Sequence, residues 1–540
     1  MLPTSALPAT AGVLIVGAGP TGLTMAIELA RRGVDAVLVD RRPEPLPWDR
    51  ATVIHSQTLE ILDALGIVET FLDRGHRMDG VTIYAYGKPC ASLRFESVDS
   101  RYPFDLNLSE HVTEEILSRE LERLGGAVQR GWTLIGLDTV GDRCRALLEG
   151  ADGVSHSLQV DWVIGADGLH SKVRTLTGVA QDGHGYEQLW GVVDCSLRNW
   201  RHDRSFGAVQ IEPPSVNPLP LPGDRWRIYF RAGAEQSQEQ TLASLAGGLD
   251  TISPGTTLAE HDKPMVFHTY RQLSRVFRQG RVLLAGDAAH ACSPIEGHGM
   301  NAGIQDAFNL GWKLALVLQG RADEALIHTY ETERRPVVDA FGASGDAAER
   351  LRATPGDRSS VERVKRTIMA SLSAPRDRYQ AALAESELDF RYPASAIVCH
   401  GATGDRQDEP SRFGPQPGDR LPDAGPLRGT QGECRLYDLL RHPECVILWL
   451  VTDRCQVDAE PRGLAALRSV ASLWFLTTAD VQGLPGEHWL LDVDGLAHAR
   501  LGAIDPALFV IRPDNRVGFR SEDLDPAAAL AYFQAWRTLP

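Results

Sequence analysis

The sequence predicts an α/β protein built from several folding units. Its 540 residues correspond to three or four domains at about 150 residues each. Hydrophobic residues make up 43% of the chain and charged residues 23%, which is typical of globular proteins and excludes a disordered or fibrous class. Short apolar runs alternate with amphipathic stretches and glycine-rich turns, a pattern that indicates strands joined by helices.

Charge and cysteine content exclude several classes of function. The chain holds 55 Lys and Arg against 71 Asp and Glu, a net charge of −16, so neither nucleic acid nor an anionic membrane surface is an expected partner. Its eight cysteines include no CxxC pair, which argues against a disulfide scaffold or a metal site and predicts a reducing, cytoplasmic location. Residues 1–27 lack charge, but glycine and proline interrupt them too often for a signal peptide or a membrane span.

The first strand, turn and helix carry a nucleotide-binding pattern. Val13–Val16 is an apolar run of the kind that is buried on both faces of a sheet. The GxGxxG turn Gly17–Gly22 follows, and the amphipathic stretch Leu23–Arg32 leads to a second short strand that ends at Asp40. This spacing predicts a Rossmann-like domain, in which glycines let the backbone approach a pyrophosphate at the helix N-terminus and Asp40 accepts hydrogen bonds from a ribose. The motif does not separate FAD from NAD.

Two further glycine motifs lie far along the chain. Val163–Gly168 and Val282–Asp287 are apolar strands that run into the dipeptides Asp-Gly and Gly-Asp. Together with Asp306–Leu314 and Tyr330–Pro336, they resemble the DG and GD signatures of the class A flavoprotein monooxygenases, the aromatic hydroxylase family. The resemblance covers about residues 10–340 well and the remainder more loosely.

This resemblance implies an FAD-binding domain of the GR2 type with an inserted β-sheet substrate domain. FAD would stay bound, whereas NAD(P)H would visit only to reduce it, because no second GxGxxG follows another strand. The family hydroxylates a phenolic or polycyclic aromatic substrate with O2 through a flavin C4a-hydroperoxide. The expected partners are therefore a small aromatic substrate and O2.

The residues expected to contact FAD come from these motifs and from the resemblance. Asp287 closes a buried strand, from which a carboxylate can reach a ribityl hydroxyl, with a plain turn acid as the alternative. Gly297–Asn301 precede a long helix predicted over 302–319, whose free N–H groups would face the flavin N1–C2=O edge. The full predicted set is Gly17, Ala18, Gly19, Pro20, Thr21, Gly22, Asp40, Arg41, Arg50, Glu110, Asp167, Gly168, Gly286, Asp287, Pro294, Gly297, Gly299, Met300 and Asn301.

Three positions depart from the family pattern. Gln57 stands where the family usually has arginine, Glu110 where a glutamine binds the ribityl chain, and His298 where a glutamine separates two glycines. These differences change local contacts and leave the cofactor prediction intact. Arg50 is expected on the adenosine–pyrophosphate side of FAD, with an exposed surface arginine as the alternative.

The predicted catalytic residues are Pro294, Arg227, Tyr229 and His55. By resemblance, the backbone carbonyl of Pro294 lies beside flavin C4a. Arg227 and Tyr229 alternate along a predicted strand, so they share a face and, as in phenol hydroxylases, would face the phenol. The alternative is a surface strand with its polar residues outward. His55 is a candidate for deprotonating the substrate because imidazole titrates near neutral pH, and His298 is another.

The domain prediction is discontinuous. The FAD-binding domain comprises residues 1–75, 110–185 and 265–345, and the substrate domain comprises 76–109 and 186–264. A helical connector over 346–400 follows, and 401–540 form an α/β unit that resembles the thioredoxin-like tail of phenol hydroxylase-type enzymes. Because this tail lacks CxxC, it is expected to brace the molecule or to form a homodimer.

Three other interpretations stay open. A flavin halogenase shares the nucleotide fold, although the Trp-x-Trp-x-Ile-Pro segment associated with halogenases is absent. A Baeyer–Villiger oxygenase would use the same cofactor with a different oxygen transfer. A binding protein with a relic FAD fold is disfavoured by the intact segment Pro294–Asn301.

Overall fold

A computed structural model describes most of the chain. The described residues are 7–45, 51–233, 236–293, 297–352, 357–401, 413–451, 464–478, 488–503 and 506–538. Arg50 and Pro294, two of the predicted site residues, lie outside these ranges. Within them, no helix has both the length and the apolar character that crossing a bilayer requires.

The first third of the chain supplies most of the predicted nucleotide-binding domain. Its elements are β1 (Thr10–Val16), α1 (Pro20–Ala30), β2 (Ala36–Asp40), β3 (Val53–Ile54), α2 (Ser56–Ala64), α3 (Val68–Arg74), β4 (His76–Met78), β5 (Gly80–Ala85), β6 (Lys88–Arg94), β7 (Asp105–Asn107), α4 (Glu110–Arg123), β8 (Val128–Arg130), β9 (Thr133–Val140), β10 (Arg143–Glu149), β11 (Ser155–Gly165) and α5 (Lys172–Thr177).

The middle third adds further strands and two long helices. Its elements are β12 (Gln181–Gly185), β13 (Leu189–Arg198), β14 (Phe206–Gln210), β15 (Val216–Pro220), β16 (Arg225–Ala232), α6 (Gln238–Ile252), β17 (Thr257–His261), β18 (Met265–Phe267), β19 (Tyr270–Ser274), β20 (Arg278–Gln279), β21 (Val282–Leu284), β22 (His290–Ala291), α7 (His298–Leu318) and α8 (Ala325–Arg352).

The last third holds two connector helices and a C-terminal unit. Its elements are α9 (Arg358–Ser371), α10 (Pro375–Glu385), β23 (Cys399–His400), β24 (Leu427–Gly429), β25 (Gly432–Cys434), α11 (Leu436–Leu439), β26 (Val446–Val451), α12 (Leu464–Arg468), β27 (Ser472–Thr477), β28 (Trp489–Asp492), α13 (Leu496–Leu501), β29 (Ala507–Ile511), β30 (Val517–Ser521) and α14 (Pro526–Gln534).

The central sheet places the three glycine motifs at one edge. Its order is β20-β21-β11-β1-β2-β8, with β10 and β9 added beside β11, and β21, β11, β1, β2 and β8 run parallel. Val13, Leu14 and Ile15 of β1 are fully buried, as expected for a strand covered on both faces. Helix α1 packs against β1 and β2, and α7 packs against α1 and against the turn Gly286–Ala288 that follows β21.

The predicted substrate domain forms a five-stranded antiparallel sheet and a three-stranded mixed sheet, in which β14 and β5 run parallel. Strand β13 pairs with β16, β17 and β18, and β18 carries this sheet past residue 264. Trp226, Ile228 and Phe230 of β16 are buried in a core with α6 residues. Because side chains alternate along a strand, Arg227 and Tyr229 point to the opposite face, towards the nucleotide-binding domain.

Two boundaries differ from the expected ones. Helix α7 begins at His298, four residues earlier than predicted, because Gly297 takes a left-handed conformation (φ +74°) and serves as its N-cap. Helix α8 continues without a break across residue 345, where the sequence suggested a domain boundary. The connector helices α9 and α10 contact β6 of the substrate domain.

The C-terminal unit is an eight-stranded mixed sheet, in the order β23-β30-β29-β26-β27-β28-β24-β25. Strands β29 and β30 form a hairpin around Asp514-Asn515. All six residues of β26 are buried: Ile447 and Trp449 share a core with Trp312 of α7, whereas Leu448 lies in a second core on the opposite face. The sheet therefore packs directly against the helix that begins beside the GD motif.

A buried charged cluster fastens the hairpin to the nucleotide-binding domain. Glu333 in α8 accepts hydrogen bonds from Arg512 Nη1 (2.6 Å) and Nη2 (2.8 Å) and from Lys313 Nζ (2.7 Å). The side chains of all three residues are fully buried. Asn309 donates to Asp514 at 3.1 Å. Removing one member of such a cluster leaves an uncompensated charge in the interior.

Asp306 joins the turn after β21 to both long helices. Its Oδ2 accepts hydrogen bonds from the Gly286 backbone N–H (3.0 Å) and pairs with His290 Nε2 (2.7 Å), and its Oδ1 accepts from Arg334 Nε (2.8 Å). Burial alone would raise the pKa of Asp306, but the charges of His290 and Arg334 outweigh it and hold the pKa at about 2.

Asp306→Asn is expected to lower the free energy of unfolding at neutral pH by about 3–5 kcal/mol, because it leaves Arg334 buried without its counter-charge. The pKa of Asp306 is depressed in the folded state, so its contribution is present above the ordinary value of 3.8 and is lost as pH falls towards about 2. Urea denaturation at pH 7 and pH 3 should therefore show a difference between variant and wild type that shrinks at the lower pH.

Asp138→Asn is the matched control, because Asp138 pairs with Arg145 on the exposed surface and its removal should leave the denaturation midpoint unchanged. A difference between Asp306→Asn and wild type that is the same at both pH values would contradict the assignment of a depressed pKa to Asp306.

Candidate functional site

The three glycine motifs meet at the carboxyl edge of the central sheet. Val16 of β1 lies opposite Gly165 of β11, and Gly165 lies opposite Leu284 of β21. The strands therefore end at the same level, and the turns that follow them are neighbours. Segments 17–22, 166–168 and 285–287 therefore converge at this edge of the sheet.

Close backbone contacts hold the turns together. A Cβ atom at Gly17, whose φ is +103°, would lie 2.3 Å from the Ala166 carbonyl oxygen. A Cβ at Gly22 would lie 1.9 Å from the Gly17 carbonyl oxygen, and one at Gly286 would lie 2.5 Å from Thr21 Oγ1. Real Cβ atoms do not approach so closely, so these positions require glycine for packing.

Other glycines of the same motifs face open space. Around Gly168 and Gly299, no described heavy atom lies within 4 Å of a Cβ position. At Gly19 the one such atom is Glu114 Oε1, at 3.9 Å. Asp167 Oδ1 is buried without a hydrogen-bond partner among the described residues. Open glycine positions beside an unsatisfied carboxylate oxygen fit a bound polar ligand, and FAD meets this requirement.

The N-terminus of α1 has the features of a pyrophosphate site. Gly19 is the N-cap in an extended conformation, Pro20 follows at the first helical position, and no acidic residue lies in the first turn. Asp40 accepts hydrogen bonds from the backbone N–H of Ala18 and of Arg42, each at 2.8 Å. Asp40 thus fixes the loop and also lies at the position predicted for ribose binding. Its neighbour Arg41 is exposed.

Glu110 and Glu114 face this loop from α4. Glu110 begins the helix, and its Oε2 accepts a hydrogen bond from the Ala51 N–H at 3.4 Å. Burial, followed by the charge of Glu110, raises the pKa of Glu114 to about 7. Glu114 is absent from the predicted site. Because Glu114 lies one turn after Glu110 on α4, helical spacing places both side chains on the same face, and this signal could have identified Glu114 from the sequence.

The first turn of α7 is clamped to β3. The Asn301 side chain donates to the carbonyl oxygens of Val53 (2.9 Å) and Gly297 (2.8 Å) and accepts from the His55 N–H at 3.1 Å. Asn301 therefore positions the turn through its side chain. Met300 is half-buried, and Asp287 is exposed within the 3-10 turn Gly286–Ala288, as a cofactor contact requires.

His55 lies beneath this turn and is fully buried. Its Nδ1 pairs with Asp105 Oδ1 at 2.9 Å. Burial lowers the pKa of His55, but Asp105 outweighs this effect and raises it to about 10. A raised pKa favours the protonated imidazole, which accepts no proton, and the role of His55 as a base stays a prediction.

Arg227 and Tyr229 share one face of β16, as predicted. Arg227 Nε and Nη2 donate to the two Asp194 carboxylate oxygens at 2.7 and 2.8 Å, and its Nη1 donates to Thr52 Oγ1 at 2.7 Å. The Tyr229 hydroxyl lies 3.5 Å from the same Thr52 oxygen, and Tyr229 is half-buried. Arg227 thus binds residues 51 and 52 through hydrogen bonds, and Tyr229 is the more exposed of the two.

Gly299→Ala should fold normally but bind FAD at least about tenfold more weakly, a loss of about 1.4 kcal/mol. Gly299 is helical and its Cβ position is open, so the added methyl group would enter the space assigned to the cofactor. Gly247→Ala is the matched control, since Gly247 is also helical and open. Thermal unfolding of the apoproteins and fluorescence titration with FAD check both. Wild-type FAD affinity in Gly299→Ala would contradict the placement.

Comparison with known proteins identifies the family. A family model described as an FAD binding domain matches residues 10–343. Pentachlorophenol 4-monooxygenase from Sphingobium chlorophenolicum is 33% identical over 447 residues, covering 82% of this chain and 80% of that protein. 6-Methylpretetramide 4-monooxygenase from Streptomyces rimosus is 32% identical over 553 positions, covering 98% of this chain and 94% of that protein.

A solved structure shows the same architecture. The anhydrotetracycline hydroxylase from Streptomyces rimosus superposes with a TM-score of 0.77 at 26% identity, over 98% of this chain and 99% of that one. These matches confirm the predicted FAD-binding α/β fold, the FAD cofactor and the monooxygenase class. The chain belongs to the FAD-binding domain family of flavin-dependent aromatic hydroxylases.

Proposed function

We propose that this FAD-dependent monooxygenase hydroxylates a phenolic or polycyclic aromatic compound. NAD(P)H is the electron donor and O2 the oxygen source, so that substrate–H, O2, NAD(P)H and H⁺ become substrate–OH, NAD(P)⁺ and water. The observation that carries the proposal is the meeting of three glycine turns, at which the position of Gly168 is open and the adjacent Asp167 has a buried carboxylate oxygen without a hydrogen-bond partner among the described residues.

The chain supplies the binding groups for FAD. The turn Gly17–Gly22 and the N-terminus of α1 would hold the pyrophosphate, and Asp40 the ribose. Asp287 would meet the ribityl chain, and backbone N–H groups of the first turn of α7 would face the flavin ring. When bound, FAD supplies the capacity to take electrons from NAD(P)H and to activate O2.

The substrate would lie between the flavin and the inner face of the β13–β16 sheet. The Tyr229 hydroxyl oxygen would accept a hydrogen bond from a phenolic O–H of the substrate, which raises the electron density of the ring and orients it. Arg227 positions Thr52 beside that hydroxyl through the hydrogen bonds described above. Asp194 in turn neutralises the buried guanidinium. The protein thus orients the ring and excludes water around it.

The relatives support this choice of substrate class. Their names record pentachlorophenol and 6-methylpretetramide as substrates of those proteins. The match to the second of them covers nearly the whole of both chains, including the C-terminal unit. A multi-ring phenol is therefore the first class of substrate to test.

Phenols that bind productively should stimulate NAD(P)H oxidation by the yellow holoenzyme, and the product should gain one oxygen atom by mass. Isotopically labelled O2 should appear in that product, and fragmentation should place it as a ring hydroxyl. Insertion of oxygen into a ring carbon–carbon bond would replace the proposal with a Baeyer–Villiger reaction. A purified protein that binds no FAD would overturn it.

Tyr229→Phe should slow substrate hydroxylation at least about tenfold and leave the FAD content unchanged, because the variant loses only the hydroxyl that orients the phenol. Tyr86→Phe is the control, since Tyr86 belongs to the same domain but is 42% exposed. Single-turnover kinetics with preloaded enzyme separate this step from cofactor reduction. Wild-type rates in Tyr229→Phe would remove this residue from the mechanism.

A further inference from the structure

Two buried histidine–carboxylate pairs lie at the start of α7, whose first residue is His298. His298 Nδ1 pairs with Glu387 Oε1 at 2.7 Å, and His55 Nδ1 pairs with Asp105 Oδ1 at 2.9 Å. The two imidazole rings are 5.4 Å apart, centroid to centroid. Both pairs therefore stand directly behind the helix end that the proposed function assigns to the flavin.

The His298–Glu387 pair is held rigidly. The His298 ring stacks on Phe341 at 4.4 Å with an interplanar angle of 14°. Glu387 is fully buried, and its second carboxylate oxygen accepts a hydrogen bond from the Gln305 side chain. Its backbone adopts φ +59°, a left-handed conformation that is unfavourable for a residue other than glycine. Such conformations persist only where the surroundings enforce them.

The pair carries compensating charges. Burial lowers the pKa of His298, but the hydrogen bond and the charge of Glu387 outweigh it and raise the pKa above its ordinary value. The other titratable groups acting on His298 include His55, Glu385 and Asp389, and Asp105 balances His55. Glu387 and Asp105 thus each pair with one imidazole ring, and removal of His298 alone would leave the Glu387 carboxylate without its partner.

We propose that His298 and Glu387 form a charge-balanced pair that sets the reduction potential of the FAD held at the N-terminus of α7. This inference rests on the proposed function. The two residues act through the helix end without touching the flavin, so they are positioning residues. Reduction adds negative charge to a bound flavin, and a carboxylate left unbalanced behind the turn would oppose that change.

The test measures the midpoint potential of the holoenzyme against reference dyes at pH 7 in four forms: wild type, His298→Gln, Glu387→Gln and the double variant. His298→Gln leaves the Glu387 carboxylate without its positively charged partner, so the midpoint potential of this variant should be more negative than that of the wild type. Glu387→Gln removes the group that keeps His298 protonated, so its shift should be smaller. The double variant has neither charge and should return towards the wild-type potential.

Phe341→Leu is the packing control, because it removes the ring that stacks on His298 and leaves every charge in place. Its potential should match that of the wild type. Visible spectra confirm that each form contains FAD, so failure to bind FAD in the wild type counts against the proposed function and not against this pair.

Two results would overturn the inference. One is a double variant whose midpoint potential shifts as far as that of His298→Gln or further. Packing damage from two substitutions adds up, whereas the effects of removing both charges of a balanced pair should cancel. The other is a stoichiometric metal in the purified holoenzyme that is lost in His298→Gln. His55, His298 and Glu387 offer ligand atoms within 4.8 Å of one another, and a metal there would replace the protons on which the pair depends.

Discussion

The candidate site depends on one close contact, in which the backbone at Gly17 lies against that of Ala166 and Asp167. No side chain fits between these segments, so the first and second turns are locked at a fixed separation. Thr21 then meets both Gly286 and Gly303, which places the third turn and the start of α7 relative to the first. Because these contacts are made by backbone and short side chains, the space beyond them has well-defined walls, as a preorganised cofactor site requires.

Much of this arrangement could be predicted because it depends on residues that are close together in the sequence. Turns that need a positive φ or a close approach select glycine, and Gly17 and Gly286 show this in sequence. The face shared by Arg227 and Tyr229 followed from the period of a strand. The sequence predicts a start of α7 that is four residues too late, because glycines at 297 and 299 are typical of a loop. In the structure, Gly297 is the N-cap of the helix.

The remainder of the site depends on partners far apart along the chain. Asp306 acquires its role only by meeting Gly286, His290 and Arg334, and Glu387 lies 89 residues from His298. No local pattern reveals such pairs. For His55, the residue type suggests a base, whereas the partner that raises its pKa, Asp105, lies far away in the sequence.

The cluster of Glu333, Lys313 and Arg512 has a consequence for how the molecule is assembled. Arg512 is synthesised 179 residues after Glu333, so a nascent nucleotide-binding half holds a buried carboxylate and an ammonium group that still lack their third member. The ion pairs around Glu333 are complete only when the C-terminal hairpin supplies Arg512. The hairpin therefore completes the buried charged cluster, and fragments that stop before it are poor substitutes for the whole chain in biochemical experiments.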